Sequence, residues 1–436
     1  MPDSPAVLRE LSLPQRYVVL TAAILGWLFA GLEIALFPLI HDSAMASLKM
    51  NLEHVPQWFA WYQAAFLFGA ASGGWVFGWL GDRLGRTQSL ALSVLCYSLL
   101  TGACYFANTP FELLVLRFLA CHGIGGAWPN TVALVAEAWP DASRPFLAGL
   151  LGTAANIGQV LMGVIGLNLD VTADSWRWTL LVGAAPVFVG LWCLGGVPES
   201  VRWLTARAKP NADNSGPLRE LFGPAFRGRV IIGTLLAAIP VIGTAANAQW
   251  VVQWKAHVTA QAAMQKSTET NPRKSTKKAK ADPKAKARTM VSRSSGAVFG
   301  SLLGGVLAMF ARRMTYFVVS LLSLLVSTYI FGVLNPLHPY YDFAVFGLGF
   351  VGTIYFGWLP LYLPELFPTR VRATGTGISF NTGRVFAGFV ALGTGGLATL
   401  LGSDYAKIGL YTGTIYALGM VVILYAPRTD GKGLKE

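Results

Sequence analysis

The chain has 436 residues, 54% of them hydrophobic and only 13% charged, where soluble domains carry about 25% charged residues. That balance excludes a soluble globular protein. It leaves room for twelve helices of roughly 20 residues each across a bilayer. The formal net charge is +13, but it is gathered in one stretch, so it does not describe a basic nucleic-acid-binding surface.

In chain order, apolar runs predict spans at about 17–40, 57–80, 88–107, 111–139, 146–167, 177–197, 229–252, 296–311, 314–334, 342–364, 375–400 and 407–426. The runs are long and continuous, which favours helices over a barrel of short alternating strands. Residues 1–16 are short and polar, so no cleavable signal peptide is expected. Cys96, Cys104, Cys121 and Cys193 all fall inside apolar runs and read as packing residues. The five histidines lack metal-ligand spacing, and no phosphate-binding glycine loop occurs. Neither cofactor nor metal is therefore expected, and no nucleophile or acid/base constellation suggests an enzyme.

Between the second and third runs lies Gly78-Trp-Leu-Gly-Asp82-Arg83-Leu-Gly85-Arg86. Its charges would be costly in hydrocarbon, so the turn belongs at one membrane face. Gly-x-x-x-Asp-Arg-x-Gly-Arg at this place resembles the loop signature of the major facilitator superfamily of secondary transporters. Two further stretches are related to each other. Glu137-Ala-Trp-Pro140-Asp-Ala-Ser-Arg144 follows the fourth span and Glu365-Leu-Phe-Pro368-Thr-Arg-Val-Arg372 the tenth, with an offset of 228 that Gly149 and Gly377 keep. The first signature has a worn counterpart from Gly304 to Arg312, with Ala308 in place of the acid. The resemblance thus implies an all-α membrane fold of twelve helices in two six-helix bundles related by pseudo-twofold symmetry.

The halves are expected at 1–197 and 229–427, joined by a cytoplasmic linker at 198–228 and followed by a tail at 428–436. Lys/Arg bias in the loops places both termini in the cytoplasm of a cell (inner or plasma) membrane. The linker opens with Pro198-Glu199-Ser200-Val201-Arg202-Trp203-Leu204, which is similar to an element of the sugar-porter and organic-acid (aromatic-acid):proton symporter branches. Residues 253–295 read as a basic, low-complexity extracytoplasmic insert. Within 253–293 eleven Lys and Arg face Glu269 and Asp282 alone, net +9 of the chain's +13. A solvated spacer is the plain reading of such a block; attraction to anionic lipid or an envelope polymer is the sharper one. Nucleic acid is not expected as a partner.

Charges inside spans are expensive unless paired or wet. Glu33 in the first span and Arg117 in the fourth sit at nearly the same depth, and the resemblance brings those spans together. Burial favours the protonated acid and the guanidinium favours the carboxylate, which gives a physical route to proton coupling; a structural ion pair is the alternative. The organic-acid branch shows Asp-Gly-x-Asp in the first span, whereas this chain has Ala30-Gly31-Leu32-Glu33. Arg384, with Asn381 one turn away, has no acid at hand in its half and suggests an anionic substrate group. The alternative is a bond from Arg384 to helix-end carbonyls. Asn156 and Gln159 in the fifth span and Asn247 and Gln249 in the seventh are further substrate-binding candidates, each with interhelical bonding as its plainer reading. His122 is another, with a core histidine satisfied by a backbone carbonyl as its plainer reading and a proton relay as the sharper one.

Gly78, Asp82, Arg83, Gly85, Arg86, Glu137, Arg144, Glu199, Arg202, Glu365 and Arg372 form the expected cytoplasmic gate. Within it Asp82 is expected to reach the first amides of span eleven, near Thr374–Gly377, and to hold an outward-open state. Span seven lacks the paired glutamines of hexose carriers, and span five lacks the Gly-Pro of drug antiporters. The expected activity is proton symport of a small organic acid by alternating access, by a monomer that draws on the proton gradient. Sugar:proton symport is the alternative, followed by drug export or a membrane sensor that moves nothing.

Overall fold

A computed structural model of the chain describes residues 11–139, 144–207, 221–270, 282, 284–307, 309–367, 369–402 and 404–429. The first half comprises α1 (Leu13–Ser47), α2 (Val55–Leu84), α3 (Arg86–Ala103), α4 (Pro110–Ala138) and α5 (Arg144–Asn168). Its last span, α6, comes in two pieces, Trp178–Ala184 and Val187–Gly196. A short helix at Val201–Arg207 begins the linker. In the second half α7 runs Arg227–Ile242, passes through a π-helical turn at Gly243–Ala248 and continues as Trp250–Thr270. It is followed by α8 (Ala285–Leu307), α9 (Arg312–Gly332), α10 (Tyr341–Glu365) and α11 (Thr369–Leu400). The last span, α12, is divided into Tyr405–Gly413 and Ile415–Tyr425. No strand occurs among the described residues.

Local signals set the helix starts. Ser12 and Gln15 form a capping box ahead of α1. The Thr109 hydroxyl accepts from the Glu112 amide, with Pro110 in the first turn of α4. Among the described residues, eleven helices are long and apolar enough to cross a bilayer. The one that falls short is α8, where Lys286, Arg288, Arg293 and a run of serines and glycines dilute the apolar content.

Here the structure departs from the expected insert. Helix continues through 253–270, and α8 starts at Ala285 where the sequence suggested about 296. The reason is pairing: Lys286 meets Asp42 and Arg293 meets Gln159, so both pack into protein instead of water. The basic residues at 271–281, the core of the insert, lie outside the described residues.

The two halves repeat the same packing. In the first, α2 packs on α4 and α1 on α5; in the second, α8 packs on α10 and α7 on α11. Close approach depends on missing side chains. A Cβ on Gly31 would overlap the Ala155 carbonyl, and one on Gly300 the Phe350 carbonyl.

Two seams join the halves, α2 against α11 and α5 against α8. Along the first, Ala60 faces Gly395, Phe68 faces Gly388 and Gly74 faces Asn381. One turn further, Gly78 and Gly377 would meet in the same register, yet a Cβ at either finds open space within 4 Å. At the end far from the Gly78–Arg86 turn, apolar clusters mix the halves. Phe59 and Ala60 pack with Trp250, Tyr341 and Tyr405, and Leu39 and Met45 with Ala287 and Met290. Clusters nearer the turn, such as that of Tyr362, Leu366 and Val230, draw on one half only. The molecule is closed at the far end, and at the turn end the α2–α11 seam is parted at Gly78 and Gly377.

Candidate functional site

Glu33 is fully buried on α1. Oε2 accepts from the Thr101 hydroxyl of α3 at 2.9 Å and from Arg117 Nη1 of α4 at 3.4 Å. A second guanidinium nitrogen of Arg117 donates to the Glu33 main-chain carbonyl at 3.2 Å. The Phe37 ring lies 4.7 Å beneath that guanidinium, a favourable place for a cation. Oε1 has no hydrogen-bond partner and lies against Gly183 of α6. The 3.4 Å contact is longer than the roughly 2.7–2.9 Å of a tight charge-assisted bond. A buried acid thus sits beside a loosely engaged cation, with one oxygen free to carry a proton.

The remaining sequence candidates lie elsewhere. Arg384 is buried at the α2–α11 seam and donates to the Ala70 carbonyl of α2 at 3.4 Å and to Asn381 Oδ1 at 3.5 Å. Asn381 donates in turn to the Gly377 carbonyl. Asn156 donates to Ser301 Oγ of α8 at 2.7 Å and accepts from Gln159 Nε2 at 3.2 Å. Asn247 ties the π-helical turn to the Gly409 carbonyl, and its amide oxygen accepts from Ser327. Gln249 is buried with its amide oxygen unpartnered. Both ring nitrogens of His122 are engaged, one with the Phe118 carbonyl and one with Ser72 Oγ, each at 3.0 Å. His122 thus stitches α2 to α4.

At the turn face, Arg86 reaches Asp82 at 2.5 Å and Glu137 at 3.6 Å. Glu137 also accepts from Ser200. The Glu199 carboxylate caps α3, accepting from the Arg86 and Thr87 amides at 3.0 and 3.1 Å. It occupies the space a side chain would need at Gly85, whose φ of 115° itself favours glycine. The repeat recurs in the second half, where Arg312 holds Glu365 at 2.6 Å. Arg83 stacks on Trp79, Arg202 is exposed, and Gly78 borders open space. The side chains of Arg144 and Arg372, like Ala308, fall outside the described residues.

Among the described residues Asp82 does not make the expected bond to span eleven. The Asp82 side chain is 70% exposed and, among the described side chains, is held by Arg86, and the α2–α11 seam has already parted at Gly78 and Gly377.

Three buried polar contacts at and beside these candidates were missed in the sequence. Thr101 gave no signal, since hydroxyls are common in spans. Lys286 of α8 pairs with Asp42 of α1 at 2.7 Å and, with Gln253, donates to the Pro38 carbonyl. Arg293 of α8 is buried and donates to Gln159 Oε1 at 2.8 Å. Lys286, Met290, Arg293, Ala297 and Ser301 are spaced as one helix face. That periodicity was the available signal, hidden by the surrounding charge run.

The family model described as Major Facilitator Superfamily matches residues 18–392. The chain belongs to this superfamily. It is a transporter and not an enzyme, built on the twelve-helix fold of that family. It is 33% identical over 211 residues to the gallate transporter of Pseudomonas putida, a match covering 48% of this chain and 45% of that protein. The match therefore spans under half of this relative. It is 26% identical to the cis,cis-muconate transport protein of Acinetobacter baylyi, over 76% of each chain. Among solved structures, the xylose transporter XylE from E. coli superposes with a TM-score of 0.69 at 18% identity, covering 97% of this chain and 100% of that one.

Proposed function

We propose that this superfamily transporter is a proton symporter of a small organic acid, aromatic acids foremost. It resides in the cell membrane with both termini cytoplasmic. The observation that carries the reading is the fully buried Glu33, shared between Thr101 and a loosely held Arg117, with one carboxylate oxygen unpartnered. A buried carboxylate must be paired or protonated. Movement of α4 relative to α1 changes which of the two it is, so a proton is taken up in one conformation and released in the other. With the termini inside, the parted turn end faces the cytoplasm and the structure is the inward-facing state. Arg384 and Asn381, at the seam that must open and close, receive the substrate carboxylate, for which a guanidinium fork is the matching partner. The names of the gallate and muconate relatives support an acid as cargo. No cofactor is needed, since the proton gradient supplies the energy.

The test uses purified protein in liposomes with an imposed pH gradient. Benzoate, gallate and cis,cis-muconate are offered beside xylose. An acid should accumulate in wild type. Glu33→Gln should abolish gradient-driven accumulation while sparing exchange of the same acid across the membrane. Accumulation by E33Q at the wild-type level removes Glu33 from coupling, and accumulation of xylose alone removes the acid.

A further inference from the structure

Arg293 and Arg384 are alike in an unusual respect. Both are buried cations of the second half, at 3% and 8% exposure, and among the described residues neither has an acidic partner. Among the described residues Arg293 donates to the neutral Gln159 amide oxygen and leaves its Nε without a hydrogen-bond partner. Arg384 donates to the Ala70 carbonyl and the Asn381 amide oxygen and lies over the Phe380 ring at 4.7 Å, all neutral groups. Lys286 shows the contrast, since on the same face of α8 two turns away a buried cation has Asp42 at 2.7 Å. A guanidinium kept in hydrocarbon without a counter-charge is poorly compensated, and its planar fork is made for a carboxylate. The placement is as telling as the charge. Arg293 lies on the α5–α8 seam and Arg384 on the α2–α11 seam, the two interfaces whose rearrangement constitutes transport.

We infer that Arg293 is a second anion-binding residue of the transport site, and that the site takes a substrate with a carboxylate at each end. This rests on the proposed organic-acid reading and sharpens it to a dicarboxylate. One carboxylate binds Arg384. The other replaces the Gln159 amide oxygen on Arg293 and pairs with the unpartnered Nε. A monocarboxylate compensates one cation and leaves the other as it stands.

The experiment measures binding of cis,cis-muconate and benzoate to the purified transporter. Wild type should bind the dicarboxylate at least tenfold more tightly. Arg293→Gln should bring that ratio to within about twofold of unity, with benzoate affinity retained through Arg384. Gln159→Glu gives an independent reading that does not remove the cation. It supplies an internal carboxylate to Arg293 and should erase the dicarboxylate preference in the same way. If R293Q weakens both acids equally, its role is structural and the inference falls. It also falls if wild type binds benzoate as tightly as muconate, or if Q159E keeps the wild-type ratio. Failure of every acid to bind overturns the organic-acid reading and this inference with it; the other outcomes overturn the inference alone.

Discussion

Glu33 Oε1 is without a donor for a steric reason: Gly183 on α6 brings backbone where a side chain would stand. A Cβ there would lie 2.5 Å from Oε1, 2.7 Å from Thr101 Cγ2 and 2.9 Å from Leu36 Cδ1. Gly183 therefore sets the room in which the carboxyl group can turn or hold a proton. Gly183→Ala should force Glu33 or Thr101 to shift. Overpacking of this kind costs roughly 1–3 kcal/mol, which a membrane protein of this size survives. We expect gradient-driven uptake to fall at least tenfold while the melting temperature drops by only a few degrees. Uptake within twofold of wild type in G183A would show that this packing does not bear on coupling. Arg117 is governed by the same geometry. Its guanidinium holds the α1 backbone as well as the acid, so Arg117→Ala removes a helix contact together with a charge and should be the more destabilising change.

Among the elements, the N-terminus of α3 is the best-determined part of the turn face. Glu199 arrives from the linker and accepts from two of its first amides, as well as from Ser200. This fixes the linker to the first half. Glu199→Ala should cost about 0.5–2 kcal/mol, the range for loss of an N-terminal cap, readable as a lower melting temperature in detergent. Glu199→Gln, which keeps an acceptor, should lose less; equal losses would mean the charge alone matters. How much of this was legible varies by element. The turn Gly78–Arg86 and the paired Glu-x-x-Pro-x-x-x-Arg elements pointed to the family and the repeat, because charge and glycine spacing are local signals. The pairing of Glu33 with Arg117 followed from equal depth on two spans that only the family resemblance placed side by side. The start of α8 was not legible. Lys286 and Arg293 look like members of a solvated charge run until Asp42 and Gln159, more than a hundred residues away in sequence, are brought against them. Nor was the state of the seam, since Asp82 carries the same residues around it whether the turn end is closed or parted.

At the scale of the whole molecule, the two seams and the mixed apolar clusters describe one state of a two-state machine. Closure of the far end buries Phe59, Trp250 and Tyr405 together, with the Lys286–Asp42 pair beside them. For access to alternate, those contacts must be given up and others made at the turn end. The register of α2 on α11 says where. Ala60 with Gly395, Phe68 with Gly388 and Gly74 with Asn381 run antiparallel with a nearly constant sum of residue numbers, and Gly78 with Gly377 continues that series into open space. Both positions are free of neighbours within 4 Å, so cysteines there should be tolerated; the native thiols at Cys104, Cys121 and Cys193 are buried, and the half-buried Cys96 is replaced by serine in the background. The double variant Gly78→Cys/Gly377→Cys should form a disulfide under mild oxidation only when the turn end closes. Oxidation should then stop transport, and reductant should restore it. Labelling at the far end, for example of an added Ala60→Cys, should rise in the oxidised form as Phe59 and Trp250 separate. If the 78–377 disulfide forms without changing either transport or far-end labelling, the halves do not rock about these seams. The conformational cycle would then have to be sought in the helices themselves, with the broken α6 and α12 and the π-helical turn of α7 as the places where they could bend.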